Sequence, residues 1–170
     1  MAYSLSQLAS DIRGALDADT GRGGKEKVRE HVKRALKDPE FVAENLGSLP
    51  SGTNLRKVLY EDPKHGFCIC GHVYETNAVG NPHDHGTSWA VYGQATGVTE
   101  MTDWKVVEKG DGEKPTLVEP ERVYNLDPGD AHLYDVGFIH SPRRMMPSRL
   151  IRIEGANLDH VKRSRIKAKA

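Results

Sequence analysis

From Leu5 to Leu46 apolar residues return at three- and four-residue steps, the period of helices that bury one face. Leu5, Leu8, Ile12 and Leu16 make the first stripe, with Ser4 or Ser6 placed to cap it and Gly21-Arg22-Gly23-Gly24 to end it. Val28, Val32, Ala35 and Leu36 make a second, and the Lys, Arg and Glu residues around them read as a solvated face. Pro39 suits the opening turn of a short third helix through Phe41, Val42 and Leu46, stopped by Gly47. From Leu55 onward the grammar changes to short runs split by Gly, Pro, Asn and Asp. Strands are predicted at 56–60, 66–74, 82–85, 89–96, 98–105, 116–118, 122–125, 131–136 and 149–154, with no helix between them. Many short strands in series predict an antiparallel sandwich or barrel. The chain thus divides into a helical segment, 1–50, a β-barrel, 51–158, and a basic tail, 159–170, expected to fray.

At 170 residues a single domain can bury its own core without disulfides or a structural ion, so a metal site here would serve function. The 24 basic and 24 acidic side chains cancel, which argues against a nucleic-acid or membrane-surface partner and for a small-molecule one. No apolar run approaches the roughly 20 residues that cross a bilayer, and the Met-Ala-Tyr-Ser start lacks the pattern of a signal peptide. The expectation is a soluble, cytoplasmic protein; a homodimer is left open. Cys68 and Cys70 are too close on one strand face for an unstrained bridge and are expected to be reduced.

The chemistry concentrates in Asn81-Pro82-His83-Asp84-His85-Gly86. In extended chain His83 and His85 share a face about 7 Å apart at the backbone, close enough to hold one ion. A third imidazole would complete a facial site with open positions, the form suited to binding substrate as well as metal. His140 and His132 both compete for that place. His72 shares a face with Cys68, Cys70 and Tyr74, and Tyr92 and Gln94 alternate with Ala90, a spacing that serves either a common cavity or an outward polar row. Arg143 and Arg144, just after His140, suit either a substrate carboxylate or, as the commoner fate, surface salt bridges, and His31 and His160 read as surface residues.

The two histidine segments resemble the motifs of the cupin superfamily. The first motif runs His-x-His, Glu, Gly; here His83 and His85 are followed at matching spacing by Ala90 and Gly97, with alanine in place of the carboxylate. In the second, Gly129, Gly137 and His140 fall in register, while Asp135 and Arg144 replace Pro and Asn, and this register favours His140 over His132. The resemblance covers roughly Leu55 to Asn157 and implies a cupin double-stranded β-helix, or jelly roll, while leaving the helical front unexplained. The three-His pattern, Pro82 to Thr87, Trp89 and Glu154-Gly155-Ala156-Asn157 are most similar to the thiol dioxygenases. That likeness implies Fe(II) at His83, His85 and His140, with dioxygen as co-substrate; imidazoles also suit Zn, Ni, Mn or Cu. Where that group carries Ser-x-His-x-Tyr this chain has Arg152 and Glu154. The expected reaction is therefore oxygen-dependent oxidation of a small anion other than cysteine, with Arg152 holding the anion, Glu154 orienting Arg152, and Tyr92 offering a hydrogen bond. A metal- or metabolite-binding module without catalysis is a competing class, as is a metal-independent sugar isomerase or epimerase with histidine as base.

Overall fold

The computed structural model describes residues 3–75 and 77–170. Helix α1, Leu5–Ala18, is capped by Ser4, whose hydroxyl accepts from the Gln7 N–H. Helix α2, Arg22–Leu36, begins inside the glycine run that had been expected only to end α1. The Asp19 carboxylate explains this start, since it accepts the N–H groups of Gly21 and Gly24 at 2.7 and 2.9 Å. A side chain at Gly24 would collide with the Asp19 carbonyl. Asp38 caps α3, Pro39–Val42, which runs on through a π-helical turn, Ala43–Gly47.

Among the described residues ten strands follow: β1 Leu55–Glu61, β2 Cys68–Tyr74, β3 Ala78–Val79, β4 Ala90–Thr96, β5 Thr99–Glu108, β6 Thr116–Leu126, β7 Ala131–Tyr134, β8 His140–Arg144, β9 Ser148–Glu154 and β10 Ile166–Ala168. They form two five-stranded sheets, β1-β2-β9-β4-β7 and β10-β6-β5-β8-β3, in a jelly-roll arrangement. The fold is mainly β with helices in front, as the sequence implied.

Alternation along the first sheet gives it two unlike faces. On the outside Ile69, Val73, Val91, Ile151 and Ile153 join Leu8, Ile12, Val28, Val32 and Leu46 of the helical layer in one buried apolar cluster. Gly93 permits the close approach of α2: a Cβ there would lie 2.6 Å from Val32 Cγ1. On the inside, paired register aligns Cys70, Arg152, Tyr92 and His132 in one row, and Cys68, Glu154, Ala90 and Tyr134 in the next.

The structure departs from the sequence reading at four places. Residues 82–85 are not a strand; the short strand lies earlier, at β3, and the histidine segment is a loop joined to β8 by one bridge, His83 to His140. The expected strands at 116–118 and 122–125 are one bulged strand, β6. β8, with the polar sequence His-Ser-Pro-Arg-Arg, had no apolar signal. The tail does not fray: β10 pairs in parallel with β6, Asp84 accepts the Ser164 N–H at 3.0 Å, and Arg165 donates to the carbonyls of Gly112 and Glu113. Main-chain pairing carries that segment, so hydrophobicity could not reveal it.

Candidate metal centre

His83 and His140 exchange two main-chain hydrogen bonds, each 3.0 Å, which locks the histidine loop onto the first residue of β8. Their rings consequently lie 4.5 Å apart, and His85 completes a triangle at 5.7 Å from His83 and 4.8 Å from His140. One ring nitrogen from each of the three lies within 4.8 Å of the others. Gly86 turns the chain directly afterwards with φ +61°, and a side chain there would strike the backbone of Lys162, so the folded tail backs the loop.

The protonation states suit metal binding. Burial, with the nearby Arg163 and Arg152 cations adding to it, pushes His83 down to about 4. Burial and Arg152 push His85 down to about 2, and burial beside the other two rings holds His140 well below the usual imidazole range. All three are neutral donors near pH 7. His83 Nδ1 lies 2.9 Å from the Asn81 carbonyl, which assigns the proton to Nδ1 and frees Nε2. His85 Nδ1 is buried with no hydrogen-bond partner among the described residues. The Tyr92 hydroxyl sits 3.0 Å from His85 Nε2 and 3.3 Å from His140 Nε2. Three neutral imidazoles whose nitrogens converge within 4.8 Å fit a divalent ion that keeps open positions. The donor set alone does not choose among Fe, Zn, Ni, Mn and Cu.

His132 stands apart. It packs against Tyr124, Tyr134 and Phe138, and Tyr134 in turn stacks on His140 at 4.0 Å. Cys68 and Cys70 are free, buried, and pushed up to about 11 and about 12 by burial, so they remain thiols. Gln94 uses its amide on Thr96 and Thr99.

Arg152 is 9% exposed and lies over the Tyr92 ring, with its Cζ 4.1 Å from the ring centre. Its nearest approach to Glu154 is 3.8 Å, beyond hydrogen-bond reach. The close partner of Glu154 is Arg56 of β1, through Nη2 at 2.6 Å and Nε at 3.2 Å. Glu154 therefore spends its charge mainly on Arg56, which the sequence did not single out; only its place opposite His72 in the β1–β2 register could have flagged it. Arg144 also departs from expectation. Instead of lying on the surface it is 2% exposed, whereas Arg143 stays outside beside Glu100 at 3.4 Å.

No protein-family model matches the chain, and no curated protein matches it. Among solved structures it is similar to a conserved protein with a double-stranded β-helix domain from Klebsiella pneumoniae, with TM-score 0.50 and 16% identity over 74% of this chain and 88% of that one. It is also similar to the cupin domain of Cnp3 from Schizosaccharomyces pombe, with TM-score 0.49 and 10% identity over 66% of this chain and 67% of that one. KdgF from Halomonas sp. is similar with TM-score 0.44 and 19% identity, over 63% of this chain and 82% of that one. Together with the sheet topology, the first of these likenesses defines the fold as a double-stranded β-helix. At such identities the likeness is one of fold alone, and it does not point to the thiol dioxygenases. No helix among the described residues is long and apolar enough to cross a membrane.

Proposed function

We propose that the protein is a metal-dependent cupin enzyme, loaded with Fe(II), that oxidises a small anion with dioxygen. The observation that carries this reading is the cluster of three neutral imidazoles, free of any carboxylate, placed beside the buried cation Arg152. Held by His83, His85 and His140, a divalent ion would supply adjacent open positions and an undiminished double charge. The chain's own residues would do the rest. Although burial opposes its charge, Arg152 stays protonated, because a guanidinium loses its proton only far above neutrality and its surroundings shift it no lower, so it can fix an anion but cannot take part in proton transfer. Tyr92 is buried, which pushes its hydroxyl up and keeps it a phenol near neutrality, able to hold a proton between His85 and His140. The Arg56–Glu154 pair keeps the carboxylate from neutralising Arg152.

The test is oxygen uptake by untagged, Fe(II)-loaded protein against a panel of small carboxylates. At least one should drive oxygen consumption, and cysteine should not. With that substrate Arg152→Ala should raise KM at least tenfold, matching the roughly 1.5–3 kcal/mol of a charged hydrogen bond. Tight carboxylate binding with no oxygen uptake would replace this reading with that of a binding module. Robust oxidation of cysteine to its sulfinate would remove the substrate assignment.

A further inference from the structure

Arg144 and Arg152 enter the same cavity from opposite sheets, Arg144 on β8 and Arg152 on β9. The cavity holds about 250 Å³ and reaches His83 and Tyr92. Each arginine rests on its own aromatic shelf: Arg144 Cζ lies 4.0 Å from the Tyr74 ring centre, and Arg152 Cζ lies 4.1 Å from that of Tyr92. A ring covers the flat face of a guanidinium and leaves its N–H edge unused. On Arg144 that edge is bare, for Nε and Nη2 are buried and have no hydrogen-bond partner among the described residues. Buried guanidinium groups are ordinarily paired, because an unpaired one carries the full cost of its desolvation. Arg163 adds a third cation at the rim, and no Asp or Glu lines the cavity among the described residues. The nearby carboxylates are engaged elsewhere, Glu154 with Arg56 and Asp84 with the Ser164 N–H.

From the bare edge of Arg144 and the absence of acidic lining, we infer that this cavity binds a small dicarboxylate, with one carboxylate on Arg152 near the histidine cluster and the other on Arg144. The inference deepens the proposed function, on which its choice of Arg152 as the first anchor rests. Arg144 acts as a specificity residue: it supplies a planar donor fork for the second carboxylate, and a monocarboxylate would leave that fork unfilled.

The probes are succinate and butyrate, which share a carbon chain length and differ in one carboxylate. They are titrated calorimetrically and without oxygen into the purified protein, so that binding is read without turnover. Succinate should bind the wild-type protein at least about tenfold more tightly than butyrate, a difference of about 1.4 kcal/mol. Arg144→Gln should bring succinate down to the level of butyrate and leave butyrate unchanged, and Arg144→Lys should fall between. Equal affinity of the two ligands for the wild type would overturn the inference without recourse to any variant, so it remains decidable if Arg144→Gln does not fold. A succinate preference that survives in folded Arg144→Gln would also overturn it. Oxygen uptake with monocarboxylates and no preference for succinate would sink this inference and spare the oxidative reading. A succinate preference lost in Arg144→Gln, with no oxygen uptake, would do the reverse.

Discussion

Ile151 and Arg152 are neighbours on β9 and point to opposite sides of one sheet. Ile151 enters the apolar layer shared with the helices, while Arg152 lies on Tyr92 above the histidine cavity. Both are buried, yet the outer face is apolar and closely packed, whereas the inner face carries Cys70, His72, Tyr92, Arg152 and Glu154. The difference shows how the work is divided within the barrel. Helices against the outer face supply cohesion, which lets the inner face hold charges and unpaired nitrogens that no stable core would choose on its own.

The sharpest separation of the two faces comes from removing one histidine. His140→Ala should abolish stoichiometric metal uptake, read by elemental analysis, while circular dichroism still reports a folded barrel, because cohesion lies outside the site. His132→Ala should retain full uptake; the opposite pair of results would move the centre. On the outer face, Ile151→Ala should cost about 2–5 kcal/mol in urea unfolding through lost burial and a cavity, with metal bound per folded molecule unchanged. A loss of metal equal to that of His140→Ala would mean that the faces are not independent.

A smaller effect tests the inner face through pH. Burial, reinforced by Arg152, Arg56 and Arg144, holds His72 well below its ordinary value of 6.5, with the Tyr74 hydroxyl 3.3 Å from its Nδ1. The unfolded chain therefore takes up this proton first as pH falls. The contribution is fully present above about pH 6.5 and declines below it, by at most about 1.4 kcal/mol per pH unit. Unfolding of His72→Leu and wild type at pH 7.5 and 5.5 should show the variant's acid slope shallower by up to one proton; identical slopes would place His72 in contact with water. The smallest effect belongs to the rim of the outer layer, where Ser4→Ala should cost about 1 kcal/mol through the lost cap on α1 and leave the pH slope and metal content untouched. A shift in either would couple the helical layer to the cavity.

The helical stripes, nearly every long strand and the His-x-His segment were legible because each depends on neighbours a few residues away. Leu8, Ile12, Val32 and Ile151 announce their burial by period alone. β8 and β10 were not legible, since their polar residues are held by main-chain pairing to distant strands. The same holds for single side chains. Arg143 and Arg144 are adjacent and alike in sequence, yet one meets solvent and the other is buried in the cavity.

Local order thus lay in the chain itself: amphipathic helices, a series of β-strands, and two closely spaced histidines. The His83–His140 bridge sets in space the third imidazole that motif register had favoured, but the folded molecule alone decided that Arg56 takes Glu154 and that Nε and Nη2 of Arg144 are left without a hydrogen-bond partner among the described residues. Periodicity reports which side of an element is buried. What a buried polar side chain meets depends on sheet register and on segments brought together from far along the chain, and no local pattern encodes that meeting.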